Sequence, residues 1–263
     1  MITSQIRLQY NSQVSSFSAT LACIFACLFA LGSAALAEEA DTNVFKLLTE
    51  KAASHDAVSF NIETVTRGRQ GEKQSESKTT ADVFIDGKNN VIVVRREGTV
   101  RFRVEAKRFF AWSVGEDGEP SSVNVEFVES ETKRRQKMAL MLHNEVWIID
   151  ATIGGQYLSA NFDVISHKED GDATVFTMQL KKSPEYTYWQ RVTKRGSVNA
   201  TLTLDNETGF PETAKVVQRV GDYEREYAIT IKSTRIEIPN DELRIPDALK
   251  KAADKKKAAS VGK

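Results

Sequence analysis

Residues 82–104 read DVFIDGKNNVIVVRREGTVRFRV, and their apolar period is two. Asp82 and Phe84 alternate with Val83 and Ile85. The cluster Asp86-Gly87-Lys88-Asn89-Asn90 then interrupts, and Asn and Gly are the residues that tolerate the positive φ of tight hairpins. Val91 to Val94 leads to a second break at Glu97-Gly98. From Thr99 to Glu105, Phe102 and Val104 take one face while Arg101 and Arg103 take the other. Strand-like runs joined by turns this short predict an antiparallel meander, not alternating βαβ units.

The same reading extends in both directions. Upstream, Phe60, Ile62 and Thr64 alternate with Asn61 and Glu63, and before them Asp41-Thr42-Asn43 offers capping side chains to an amphipathic helix over Thr42–Ser54. Downstream, Phe109 to Val114 is followed by the turn Gly115–Pro120 and by Val123, Val125 and Phe127. The period then changes. Ser130 to Asp150 lacks Gly and Pro, places Met138, Met141, Leu142 and Glu145 at helical spacing, and is stopped by Gly154-Gly155, which predicts one helix or two short ones. Strands resume at Phe176, Met178 and Leu180, at Tyr186 and Tyr188, from Val198 to Leu204, at Val216-Val217, and along Tyr223–Ile236. From Lys250 onward six Lys face one Asp, which predicts a frayed helix or a flexible tail over 250–263. The expected fold class is α+β, mainly antiparallel β. About ten strands curl into an unclosed, strongly curved β-barrel, and the N-terminal helix and a central helical lid are left to cover its inner face.

The N-terminus gives the compartment. Polar residues with Arg7 as their cation precede the thirteen-residue run ATLACIFACLFAL, and small residues follow up to Ala37. This is the order of a secretory signal peptide over 1–37, and the run is shorter than the roughly 20 residues a membrane span needs. An uncleaved anchor is the other reading of the same segment. Cleavage near Ala37 predicts a periplasmic or secreted protein and removes both cysteines, so residues 38–249 form a domain that must be held by its hydrophobic core alone. The balance of 36 Lys+Arg against 36 Asp+Glu gives no electrostatic case for nucleic acid.

Four further stretches carry a resemblance. Phe45-Lys46-Leu47-Leu48, Ser59-Phe60-Asn61-Ile62, the strand end Thr203-Leu204-Asp205-Asn206-Glu207-Thr208-Gly209-Phe210-Pro211-Glu212 and the element from Ile238 to Pro246 occur in this order. In this the chain resembles the periplasmic lipoprotein-carrier superfamily of the LolA and LolB type, together with related periplasmic proteins of unknown function. Leu243 replaces the usual Phe of the last element. The resemblance implies an open β-barrel whose concave apolar face, plugged by helices, holds an acyl chain or another lipid. Carriers of this type hold the lid with a strand arginine in a short motif with Pro and aromatic neighbours, and no such motif surrounds Arg95, Arg96 or Arg101.

No chemistry competes with that expectation. His55, His143 and His167 are isolated, without a partner at metal-ligand spacing, so no metal is expected. No nucleophile elbow, phosphate loop or dinucleotide fingerprint occurs, and the carboxylate pair Glu224 and Glu226 is what an alternating outer face produces. The protein is therefore read as a non-enzyme without cofactor. The cavity is expected to be lined by Phe60, Ile62, Phe84, Phe102, Val104, Phe110, Trp112, Met138, Leu142, Trp147, Phe176 and Met178. Its partner is expected to be a lipid or acylated ligand. The alternative is an envelope sensor or interaction module that meets another protein through its outer surface. Two basic clusters, one at Arg95, Arg96, Arg101, Arg103, Lys107 and Arg108 and one at Lys133, Arg134, Arg135 and Lys137, are read as faces solvated by neighbouring acids or as contacts to lipid headgroups or an anionic partner.

Overall fold

The structure is a computed structural model that describes residues 45–50, 57–97, 100–115, 118–239 and 241–261. The signal segment with Cys23 and Cys27, the two ends of the expected N-terminal helix, and His55 lie outside the described residues. Residues 45–50 are helical (α1).

Six strands follow: β1 (Ala57–Gln70), β2 (Lys73–Asp86), β3 (Val91–Arg96), β4 (Val100–Val104), β5 (Arg108–Val114) and β6 (Pro120–Phe127). Three helices then interrupt, α2 (Glu131–Leu142), α3 (Val146–Thr152) and α4 (Gln156–Asn161). The second half comprises β7 (Phe162–Asp170), β8 (Ala173–Leu180), helix α5 (Thr187–Val192), β9 (Gly196–Asp205), β10 (Pro211–Val220), β11 (Tyr223–Arg235) and a last helix α6 (Asp247–Val261). All eleven strands form one antiparallel sheet in the order β6-β5-β4-β3-β2-β1-β11-β10-β9-β8-β7. The chain walks outward from β1 to one edge at β6, re-enters at the opposite edge with β7, and walks back until β11 pairs with β1. The edges β6 and β7 are not paired to each other, so the curled sheet is an open barrel. This topology requires residues 128–161 to carry the chain from one edge to the other, and they do so as helices packed over one face.

Which residues look inward is set by register. Phe60 lies opposite Val83, Val83 opposite Val94, Val94 opposite Phe102, and Phe102 opposite Ala111, so these five share the inner face. Phe84 is one residue beyond Val83, and Phe110 and Trp112 flank Ala111. Period two sends these three to the outer face, which corrects the expectation that they line the concave side. They are buried there under a second cover. Phe84, Val91 and Val93 pack beneath Ile238 and Leu243, and Phe110, Trp112 and Val125 pack beneath Leu249 and Ala253 of α6.

The sequence reading expects a frayed helix or a flexible tail from Lys250; the structure is helical from Asp247 to Val261 (α6). Leu249 and Ala253, four residues apart, seat it on β5 and β6, and Lys256 Nζ donates to the Val125 carbonyl. The expected boundary between 249 and 250 falls inside this helix. Two further corrections concern the second half. Phe162–Asp170 is a strand although only Phe162 and Val164 of it are buried, and Tyr186 and Tyr188 belong to the N-cap and body of α5. Their aromatic spacing serves a ring cluster: Tyr186 stacks near Tyr157, and Trp189 Nε1 donates to Tyr157 Oη at 2.6 Å.

Candidate functional site: the helical cover and its cavity

Ser130 begins the cover by accepting a hydrogen bond from the Lys133 N–H at the start of α2. Arg134, Met138 and Leu142 then recur every fourth residue as the buried stripe of that helix, with Ala139 beside them. Every residue of α3 is buried, including Asp150 and Thr152, whose side chains bond to backbone groups. At the α3–α4 turn Gly155 has φ 69°, and a Cβ there would stand 2.8 Å from Leu48 Cδ1. The glycine is what lets α1 close on this turn.

In the last turn of α3, Asp150 is a buried carboxylate. Its two oxygens accept from the backbone N–H of Tyr157 and of Leu158 at 2.9 Å each, which caps the otherwise uncapped start of α4. Burial still dominates and pushes its pKa up to about 6, against the opposing effect of those bonds and of Arg135 and Arg134. The folded state therefore binds this proton more tightly than the unfolded chain. The contribution to stability is complete below about pH 4 and is lost as pH rises through 6, by about 3 kcal/mol in all. In urea titrations at pH 5 and pH 7.5 the wild type should lose more stability across the interval than Asp150→Asn, which keeps one acceptor and has no proton to lose. A variant that loses as much as the wild type would contradict this assignment.

Ion pairs fasten the cover to the sheet. From β3, Arg96 donates Nε and Nη2 to the two oxygens of Glu145 at 2.9 Å each and Nη2 to the Met141 carbonyl at 3.0 Å, with its guanidinium 4.7 Å above the Phe102 ring. Glu145 is buried at the junction of α2 and α3. Arg135 pairs with Glu185 just before α5, and Lys137 with Glu126 on β6. Lys133 pairs with Glu129 and Arg134 with Glu131, so each cation at the start of α2 has an acidic neighbour. In the outer cluster Arg95 meets Glu242, and Glu105 bridges Arg103 and Arg108.

Beneath the cover, Phe60, Ile62, Phe102, Val104, Met138, Leu142, Trp147, Phe176 and Met178 belong to one continuous buried core. A cavity of about 610 Å³ opens at one end of it, between the β2–β3 turn, the start of α2 and the α3–α4 turn. Its apolar wall comprises Val58, Ile85, Ile92, Met138 and Phe210, and its polar rim includes Lys88, Asn90, Glu131, Arg134, Arg135 and Asp150. Of the twelve residues expected to line a cavity, Met138 lines this one; eight others stand in the closed core, and Phe84, Phe110 and Trp112 stand on the opposite face. Sequence reading missed Arg134 and Arg96 as individual residues. Arg134 had a signal, because a cation in register with Met138 and Leu142 at four-residue spacing must share their buried stripe. Among the described residues no helix is long and apolar enough to cross a membrane.

The sequence matches no protein-family model and no curated protein. Its fold does have counterparts among solved structures. A LolA superfamily protein from Nitrosomonas europaea aligns at 10% identity and TM-score 0.38, over 77% of this chain and 97% of its own. The chain is similar to LolA superfamily structures. An uncharacterized conserved protein from Thermus thermophilus aligns at 8% identity and TM-score 0.41, over 78% of this chain and 93% of its own. The lipoprotein LppX from Mycobacterium tuberculosis aligns at 10% identity and TM-score 0.34, over 76% and 98%.

Proposed function

We propose that the protein is a periplasmic or secreted, non-enzymatic carrier that binds a lipid or acyl chain on the concave face of its open barrel, after removal of the signal segment near Ala37. The observation that carries this reading is the construction of the cover. A segment apolar toward the sheet runs from one sheet edge to the other and is fastened at its periphery by ion pairs such as Arg96 with Glu145. An apolar ligand that enters takes over area the helices would otherwise bury, at roughly 25 cal/mol per Å², so opening and binding nearly balance.

Native mass spectrometry of the purified protein, followed by solvent extraction, tests the reading directly. A bound acyl-containing species, or saturable binding of a fluorescent fatty acid after delipidation, is the expected result. A ligand-free protein that also ignores the fatty acid would overturn it.

A further inference from the structure

The cavity at the end of the core holds a charged group with unused bonding capacity. Arg134 is 94% buried, being 6% exposed. Its Nη2 donates to Asn90 Oδ1 at 2.6 Å and its Nη1 to Glu131 at 3.1 Å, yet its Nε–H is buried with no acceptor. Buried guanidinium donors are ordinarily all satisfied, because each unpaired one forfeits its hydration. The Glu131 side chain is 51% exposed and leaves for water easily, whereas the Arg134 side chain, 7% exposed, has nowhere else to go. The other acids of the cavity lining are engaged elsewhere: both oxygens of Asp150 accept backbone N–H groups, and those of Asp86 accept from the backbone and side-chain nitrogens of Asn89. Directly beside this cation the wall becomes apolar, with Val58, Ile85, Ile92 and Met138. A cationic socket joined to an apolar wall within one cavity of about 610 Å³ matches a molecule that is anionic at one end and hydrocarbon at the other.

We propose that this cavity is the head-group end of the ligand site, where Arg134 receives the carboxylate or phosphate of a long-chain amphiphile, displaces Glu131 toward solvent, and leaves the acyl chain on Val58, Ile85, Ile92 and Met138. The assignment rests on the reading of the concave face as a lipid site and specifies the polar end of that lipid. The charge of the head is what the site reads, since a guanidinium gains most from an ionised acceptor.

The test compares cis-parinaric acid with its methyl ester, which has the same chain and no charge. The unaltered protein should bind the acid at least about tenfold more tightly, a comparison that depends on no variant. Arg134→Gln should weaken the acid to the level of the ester and leave the ester unchanged. Competition by oleate and by lysophosphatidylglycerol then separates the two head chemistries: displacement by either supports the proposal and names the source, and displacement by neither overturns it. Equal binding of acid and ester by the unaltered protein overturns the head-group assignment while the lipid reading stands. Binding of neither probe removes both.

Discussion

Arg96→Ala is expected to cost about 3–5 kcal/mol of folding stability, among the largest single losses available in this chain. The arginine side chain is 24% exposed and its partner Glu145 only 5%, so removing the cation strands a carboxylate that water cannot reach. The reverse change, Glu145→Gln, leaves a guanidinium that keeps the Met141 carbonyl, the Phe102 ring and some water, and should cost one to two kcal/mol less. The pair Arg96→Met with Glu145→Leu removes both charges together and should recover most of the loss, since an apolar replacement of a buried pair is often neutral. Urea unfolding of the wild type, of Arg96→Met and Glu145→Leu singly and of the pair closes the cycle. Amide exchange adds what stability alone does not say: in Arg96→Ala, α2 and α3 should lose protection ahead of β9 and β10, because the tie that fails joins cover to sheet. An Arg96→Ala loss under 1 kcal/mol would show that the pair is not what holds the cover.

The meander was legible because period two and the turn residues agree along residues 57–127. Its two faces were harder to tell apart. On an ordinary half-buried sheet, large apolar residues mark the inner side, but here Phe84, Phe110 and Trp112 are buried on the outer side by Ile238, Leu243 and Leu249, which are widely spaced and lie more than a hundred residues along the chain from the strands they cover. Strand β7 was illegible for the opposite reason. As an edge strand it buries Phe162 and Val164, exposes Ile165 and is polar over its remainder, so neither alternation nor propensity announces it. Helix α5 hides in an alternation of tyrosines that pack on one another and on Trp189. The tie of Arg96 could not be read at all, since Glu145 lies 49 residues away and the two meet only because the cover crosses the sheet.

Trp147→Ala is the other change of large effect, and it decides what the cover is. Trp147 is 3% exposed and packs with its ring 4.8 Å from that of Phe162 at the start of β7, where Phe162 in turn meets Trp189. Truncating a buried tryptophan costs about 3–5 kcal/mol through lost contacts and the hole left behind. If α3 is permanent core, that loss is the whole result. If α3 is a cover that must lift before a lipid enters, part of the same loss belongs to the closed state alone, and the open fraction rises. Apparent affinity improves in proportion to the competent fraction, up to the roughly 150-fold into which 3 kcal/mol converts. A long-chain fatty acid, far too large for the hole of one indole ring, should therefore bind Trp147→Ala at least about tenfold more tightly than the wild type even though the protein melts earlier. An inner-wall truncation on the sheet, Phe60→Ala, destabilises by the same kind of packing loss but removes surface the lipid would use. Its affinity should not rise. A Trp147→Ala protein that is less stable and binds no better would mean that the helices over this sheet are core and nothing more.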